Sequence, residues 1–282
     1  ADVSSSTQTI HFGKKYPERF FNVGVAEANM VDIAGGMATC GLRPVASAFA
    51  IFIALKATDQ VRNNICYNNL PVVLVGGYAG LSDSFDGASH QSITDMAIMR
   101  AMPNMKVLAP ADGPEFARLL EESLKLDGPT YFRICRNETP VVSTSYPTVP
   151  FGKIQILKEG SDITLAACGI TVPMALETAE QLATKGISAE VLNVSCLKPL
   201  DAETLIQSAS KTGRIISIEE HSVFGGLGSA VSECLMQNHP VKMEMIGVQD
   251  TFTETGPYDE LLAKYGISVD NIIEKVNKLM NS

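Results

Sequence analysis

The sequence has no tryptophan, and aromatic side chains make up only 6% of its 282 residues. It also has no Cys-x-x-Cys pair, and its six cysteines are scattered without metal-ligand spacing. Each cysteine lies in or beside an apolar run, which favours buried free thiols in a reducing compartment. We therefore expect a cytoplasmic protein without a zinc site built from cysteines.

No apolar run is long enough to cross a membrane. The most apolar stretch lies between Arg43 and Lys56, well short of the roughly 20 residues that a bilayer requires. The first residues, ADVSSSTQTIHFGKK, have no apolar signal-peptide core. Because Ala1 is not an initiator methionine, we expect the chain to begin where a longer product was trimmed. The formal charge of -9 argues against nucleic-acid binding.

Several common catalytic motifs are missing as well. There is no Walker A loop, no nucleophile elbow and no His-Glu-x-x-His pair. The glycines of EEHSVFGGLGSAV lack the spacing of a dinucleotide-binding loop and indicate a tight helix start instead. His221 in that stretch is expected to be structural or to lie at an interface.

What is present is a regular alternation of apolar runs and helical periods. The runs lack polar alternation, which is typical of strands covered on both faces. Strand, helix, strand repeated in this way predicts an α/β protein with parallel sheets between layers of helices. The strands are predicted to start near Pro71, Met105, Pro129, Asp162, Ser188, Gly213 and Lys242.

The pattern lapses in TPVVSTSYPTVPFG, which has three prolines and no period. This stretch predicts a linker at residues 141–152. It would separate a domain of residues 1–140 from a second, doubly wound domain of residues 153–282.

A single glutamate, Glu27, stands among Val, Ala and Met in FFNVGVAEANM, where a helix is expected to begin. An ionised carboxylate loses its hydration in apolar surroundings, so it is usually paired, protonated or in fact exposed. In the first turn it could simply face water, where its charge would suit the helix dipole. The local pattern leaves both readings open.

Two further segments follow predicted buried strands, where open α/β sheets bind ligands. Asp86 and His90 flank a glycine in a predicted loop, and each could instead make only local turn contacts. Arg136 falls just past a strand, where a guanidinium can bind a phosphate or form a surface salt bridge. Arg133 lies within that strand and is expected to form a structural ion pair.

Together these segments resemble the transketolase family. GVAEANM resembles its Gly-x-x-Glu motif, DGASHQSITDMAIMRAMPNMKVLAPAD its Asp-Gly-x-x-His-Gln segment, and GPTYFRICRN its phosphate-arginine strand. The resemblance covers nearly the whole chain. It implies a thiamine-diphosphate pyrimidine-binding domain followed by a transketolase C-terminal domain, and transfer of two-carbon ketol units between sugar phosphates of the pentose phosphate type.

The resemblance also assigns roles near the cofactor. The glutamate at the position of Glu27 hydrogen-bonds the cofactor's aminopyrimidine and favours its imino tautomer. Phe49 and Phe52 match aromatic residues that pack on that ring, and Asp2 matches an aspartate near the cofactor. Leu55 replaces an aromatic residue of the family.

Other positions match the substrate site. Asp86 and His90 match residues that hold the donor's hydroxyl groups, and His90 also matches a residue that assists proton transfer. Arg136 matches the phosphate-binding arginine, and Ser6 a serine near the phosphate. Tyr78 stands where the family commonly has a phosphate-binding histidine, which leaves the donor and acceptor sugars open.

The family binds the cofactor's diphosphate and its Mg²⁺ or Ca²⁺ through a Gly-Asp-Gly and Asn motif, and this chain has none. The resemblance therefore implies the C-terminal subunit of a split transketolase. It would be active only with an N-terminal subunit, in an α2β2 heterotetramer around a dimer of this chain.

Three alternatives remain at this point. Within the same cofactor class they are a 1-deoxyxylulose-5-phosphate synthase-like protein and the beta subunit of a 2-oxo-acid dehydrogenase. The third is a non-catalytic assembly subunit, motivated by the missing diphosphate motif and by Tyr78.

Overall fold

A computed structural model describes residues 1–281, which form two five-stranded sheets flanked by helices. Within these residues, no helix combines the length and the apolar character that spanning a bilayer requires. The strands are β1 (Val45–Phe49), β2 (Val73–Gly77), β3 (Lys106–Leu108), β4 (Thr130–Arg133), β5 (Gln155–Lys158), β6 (Ile163–Ala167), β7 (Ala189–Asn193), β8 (Cys196–Lys198), β9 (Arg214–Ser222) and β10 (Lys242–Val248).

The helices pack around these two sheets. They are α1 (Ile10–Lys15), α2 (Glu27–Thr39), α3 (Thr58–Gln60), α4 (Asp95–Ala101), α5 (Gly113–Ser123), α6 (Thr171–Ala183), α7 (Ala202–Thr212), α8 (Leu227–Asn238), α9 (Tyr258–Lys264) and α10 (Val269–Met280), with 3₁₀ turns at Pro17–Arg19 and Ser143–Ser145 and π-helical turns at Phe52–Lys56 and Val61–Cys66.

The strand order confirms the α/β prediction, with two differences. The first sheet has the order β1-β2-β4-β3-β8 and the second β10-β9-β6-β7-β5. All pairings are parallel except those of the edge strands β8 and β5, which are antiparallel to β3 and β7. Antiparallel edge strands are common on otherwise parallel sheets, because an edge needs no crossover helix.

The seven predicted strands are present, as β2, β3, β4, β6, β7, β9 and β10. The sequence did not predict β1, β5 or β8. β1 lies inside the long apolar stretch, which lacks the turn residues that would delimit a strand. β5 and β8 are short edge strands of four and three residues, and short runs carry little periodic signal.

The boundary between the two predicted domains stays a prediction, although the structure adds one fact about it. β8 follows the linker in sequence yet completes the first sheet. One apolar core also joins residues of both halves, such as Val31 and Ile65 with Leu192 and Val231. The two sheets therefore share a packed interface rather than a flexible joint.

The six free cysteines differ in exposure. Cys66, Cys168 and Cys196 are buried, as expected, whereas Cys135 and Cys234 are half-buried and Cys40 is exposed. The prediction was wrong for Cys40, because α2 ends at Thr39 and the chain then turns out into solvent.

Candidate active site

Glu27 is the first residue of α2, and its side chain is buried, with a residue exposure of 4%. The interpretation that it faces water is therefore wrong. Within residues 1–281 its carboxylate forms one ion pair, with the Lys56 ammonium at 3.8 Å, and no side-chain hydrogen bond. A buried carboxylate is normally hydrogen-bonded. Glu27 thus has hydrogen-bonding capacity available for a further group.

Lys56 is a site residue that the sequence did not predict. It ends the π-helical turn that starts at Phe52, and its ammonium lies 3.9 Å from the centre of the Phe52 ring. One cation thus contacts both the carboxylate of Glu27 and the face of Phe52. The signal that could have found it is its position four residues after Phe52, because residues at that spacing share a helix face.

Aromatic rings form a continuous wall beside this pair. Phe49, the last residue of β1, stacks on Phe52 at 5.7 Å between ring centres and on Tyr78 at 4.3 Å. The His90 ring meets the edge of Phe52 at 5.3 Å. Phe49 and Tyr78 come from the carboxyl ends of β1 and β2, so the wall lies at the sheet edge where open α/β sheets bind ligands.

Arg136 continues the site beyond Tyr78. Its guanidinium lies 4.9 Å from the centre of the Tyr78 ring, and its Nη1 lies 3.3 Å from Oδ1 of the buried Asp83. The backbone N–H of Arg136 donates to the Ser82 hydroxyl at 3.1 Å. The sequence pointed to Arg136 but did not single out Asp83, because an aspartate within the polar loop GLSDSFDG carries no signal of burial.

The loop that carries Asp86 and His90 depends on Gly87. This glycine has φ +75°, and a Cβ built on it would lie 2.6 Å from the Thr255 hydroxyl oxygen. A left-handed backbone without a side chain lets the loop approach the segment before α9. The backbone N–H of His90 then donates to the Gly87 carbonyl at 2.9 Å, and this hydrogen bond fixes the backbone at His90.

Gly87→Ala is expected to lower the free energy of unfolding by about 1–3 kcal/mol, because alanine is strained at positive φ and its methyl group would meet Thr255. Urea unfolding followed by circular dichroism measures the change. Gly36→Ala is the matched control, since Gly36 lies within α2 with no atom near the added methyl. That variant should be as stable as the parent or more so. If Gly87→Ala were no less stable than Gly36→Ala, the proposed strain at Gly87 would be contradicted.

The first residues of the chain run along the same edge. The Asp2 carboxylate accepts a hydrogen bond from the Asn22 amide at 2.7 Å, and the Asp2 N–H donates to the Gly24 carbonyl at 3.1 Å. The carbonyl of Ser6 accepts from the Tyr78 hydroxyl at 3.2 Å. The structure thus brings Ser6 beside the aromatic wall and Asp2 to the segment that leads into Glu27. Both side chains belong to exposed residues.

A buried ionic cluster lies beneath the site. The Arg133 guanidinium is 3.2 Å from the Asp95 carboxylate and 3.9 Å from that of Glu220, which confirms the predicted structural ion pair. Glu220 belongs to the second sheet and accepts from the Leu81 N–H at 2.7 Å. Burial raises the pKa of Glu220 to about 7, while the nearby Arg133 charge lowers it. The cluster therefore joins the sheet of the site to the second sheet.

His221 belongs to the same buried region, as expected for a structural histidine. Burial lowers its pKa to about 4, so the ring is neutral at physiological pH. The neighbouring Glu219 accepts from the N–H groups of Leu227 and Gly228 at the start of α8, at 2.6 and 2.8 Å. The glycine-rich stretch is thus a tight helix start, as predicted.

The site combines a row of stacked aromatic rings with one available carboxylate and, beyond Tyr78, a guanidinium. Aromatic faces from Phe49 and Phe52 and the hydrogen-bonding capacity of Glu27 fit a planar nitrogen heterocycle such as an aminopyrimidine. In residues 1–281 no group of three or more His, Cys, Asp or Glu side chains is placed to hold a metal ion. The residues present therefore suit a planar ring of this kind.

Comparison with known families covers most of the chain. Residues 1–142 match the transketolase pyrimidine-binding domain, and residues 152–272 match the transketolase C-terminal domain. A solved structure described as a split-gene transketolase, an inactive β4 tetramer, superposes with a TM-score of 0.92. It is 43% identical and covers 100% of this chain and 90% of that one.

Similar proteins differ in how much of them this chain spans. A 6-deoxy-6-sulfo-D-fructose transketolase subunit of Clostridium sp. (strain MSTE9) is 39% identical over 99% of this chain and 87% of its own length. A putative transketolase C-terminal section of Methanocaldococcus jannaschii is 41% identical over 99% and 89%. A 1-deoxy-D-xylulose-5-phosphate synthase of Desulforudis audaxviator is 38% identical over 97% of this chain but only 43% of its own. The chain therefore belongs to the transketolase family and spans its pyrimidine-binding and C-terminal domains.

Proposed function

We propose that the chain is the C-terminal subunit of a thiamine-diphosphate-dependent transketolase, and that it transfers a two-carbon ketol unit between sugars together with an N-terminal subunit. The observation that carries this proposal is Glu27, a buried carboxylate with an ion pair but no hydrogen bond within the described residues. Its place beside stacked aromatic rings suits a bound heterocycle.

Glu27, Phe49 and Phe52 would hold the aminopyrimidine of the cofactor, with Asp2 close to the entry of α2. Thiamine diphosphate, when bound, supplies the electron sink for carbon–carbon bond cleavage. Glu27 would share a proton between its carboxyl oxygen and a ring nitrogen of the pyrimidine. Phe49 and Phe52 would orient the ring and exclude water from this contact.

Asp86, His90, Arg136 and Ser6 would bind the sugar. His90 lies at the edge of Phe52, so its imidazole would hydrogen-bond a donor hydroxyl and move a proton to or from it. Asp86 would accept from a neighbouring hydroxyl, while Arg136 and Ser6 would contact the far end of the sugar. In this proposal, the residues of this chain contact the pyrimidine and the sugar.

The diphosphate and its Mg²⁺ or Ca²⁺ would be held by the partner subunit. Two relatives support a partner: one is called a C-terminal section, and one solved structure is an inactive assembly of β chains alone. We propose an α2β2 complex around a dimer of this chain, acting in the cytoplasm on a ketose donor and an aldose acceptor.

Reconstitution tests this function. The chain alone should show no ketol transfer, and the mixture with an N-terminal subunit, thiamine diphosphate and Mg²⁺ should form a ketose product from a ketose donor and an aldose acceptor. A coupled spectrophotometric assay measures the rate, and omission of the cofactor is the control. Absence of transfer from every ketose, with a mixed complex demonstrated by gel filtration, would contradict the proposal.

The second candidate within this cofactor class is synthase chemistry, favoured by the similarity to 1-deoxyxylulose-5-phosphate synthases. Supplying pyruvate with an aldose phosphate in place of a ketose donor distinguishes the two reactions, and formation of a 1-deoxyketose phosphate together with carbon dioxide would indicate the synthase. Oxidation of pyruvate with an acyl acceptor would indicate a 2-oxo-acid dehydrogenase subunit. A non-catalytic assembly subunit would bind no cofactor by calorimetry even within the mixed complex.

A further inference from the structure

Asp83 is a fully buried carboxylate that lies behind Arg136. Its residue exposure is 0%, its Oδ1 lies 3.3 Å from the Arg136 guanidinium, and its Oδ2 has no hydrogen-bond partner in the described part of the chain. Burying a carboxylate with an unpartnered oxygen lowers the stability of the fold. Its presence here therefore favours a functional role for the charge. The geometry makes Asp83 the counter-charge of Arg136.

The Asp83–Arg136 pair leaves little net positive charge at this end of the site. Burial and the neighbouring Asp86 carboxyl raise the pKa of Asp83 to about 6, while His90 and Arg136 act in the opposite direction. Asp83 is therefore mostly ionised at neutral pH. Asp83 therefore balances the Arg136 guanidinium, and Tyr78 beneath that guanidinium adds no charge.

There is space for the end of a substrate next to Arg136. The guanidinium borders a cleft of about 350 Å³ that is also lined by Ser82, Ser84 and Tyr258. The Ser84 hydroxyl can hydrogen-bond a neutral or singly charged group there, whereas the hydroxyl groups of Ser82 and Tyr258 already donate to the Ala79 carbonyl and the Glu220 carboxylate. A doubly charged group placed there would meet one cation that Asp83 already balances.

The charge of the incoming group then decides how well it binds. A phosphate monoester is mostly a dianion at pH 7, because its second pKa is about 6, whereas a sulfonate is a monoanion and a hydroxyl is neutral. Each added negative charge a few ångströms from an ionised carboxylate is repelled by it, and the repulsion is stronger at a partly buried site than in water. This penalty falls hardest on the dianion.

We propose that Asp83 is a specificity-determining residue that balances Arg136 and directs the site toward ketoses whose far end is uncharged or singly charged, at the expense of phosphate dianions. The inference rests on the proposed transketolase function and deepens it by naming the substrate class.

The experiment compares three ketose donors in the reconstituted complex: fructose 6-phosphate, 6-deoxy-6-sulfofructose and fructose. The parent should have a higher kcat/KM for the sulfonate than for the phosphate. Asp83→Asn keeps the shape and removes the charge, so it should raise the phosphate-to-sulfonate ratio of kcat/KM by about tenfold. Asp127→Asn, at an exposed surface ion pair, is the control and should leave the ratio unchanged.

The ratio is a readout that a merely structural role of Asp83 would not move, because a loosened fold lowers both kcat/KM values together. The parent's own preference gives a second readout that needs no variant. An unchanged ratio in a folded Asp83→Asn complex, or a parent that prefers the phosphate tenfold, would overturn the inference and leave the transketolase function standing. No turnover of any ketose would instead overturn both.

Discussion

Replacing Glu27 by glutamine is expected to lower kcat of the reconstituted complex by about 10²- to 10⁴-fold, the usual contribution of a positioned proton-transfer group. The amide has nearly the same shape as the carboxyl but cannot share a proton with a ring nitrogen. Glu27→Ala should lose at least as much, because it also leaves a void at the start of α2, where Glu27 is buried. Initial rates at saturating cofactor measure the effect.

The unfolding midpoint distinguishes a lost proton contact from a damaged fold. Glu27→Gln should retain a similar unfolding midpoint, because Lys56, its ion-pair partner, is half exposed and can be solvated. Glu18→Gln changes an exposed glutamate and is the matched control, with no expected loss of rate. Unchanged activity in either Glu27 variant would contradict the role of Glu27 on which the proposed function rests.

Arg133→Met is expected to lower the free energy of unfolding by about 3–5 kcal/mol, the usual cost of removing one partner from a buried ion pair. The substitution leaves Asp95 and Glu220 buried without their shared cation. It also removes two hydrogen bonds that Arg133 donates to the carbonyl groups of Ser92 and Glu220. Urea unfolding of the chain at pH 7.5 measures the change.

Arg62→Met is the matched control for this variant. Arg62 is exposed, and its guanidinium contacts the neighbouring Asn63 side chain, so the expected change lies within about 0.5 kcal/mol. A loss below 1 kcal/mol in Arg133→Met would contradict the role of the cluster as the joint between the sheets. Because Arg133 contacts both Asp95 and Glu220, the two sheets should unfold in one transition in the parent.

Much of the fold was accessible from the sequence because the relevant signals are local. Continuous apolar runs predicted the central strands of both sheets, and the glycine-rich stretch predicted the tight start of α8, where Glu219 accepts from two backbone N–H groups. The same locality explains the failures. The edge strand β8 exists only because β3 offers it a partner across the predicted linker, and no pattern within three residues can report that.

The candidate site divides in the same way. Glu27 could be selected because it is the single charge among apolar residues at a predicted helix start, and His90 and Arg136 because they follow predicted buried strands. Lys56 and Asp83 could not, since a lysine in a helical stretch and an aspartate in a loop are usually solvated. Their contacts with Glu27 and Arg136 join segments distant in sequence, and only the packing of those segments brings the charges together.

The sequence by itself determined the fold class, the family and the residue types available for chemistry, because periodicity and short motifs depend on neighbours along the chain. The tertiary structure decided which of those residues are buried and which charges face each other. Burial changes the hydration of a carboxylate, and hydration sets whether Glu27 faces water or is free to hold a ligand. The sequence left open whether Glu27 faces water or an apolar pocket. Its burial at the start of α2, beside the π-helical turn at Phe52–Lys56, selects the pocket.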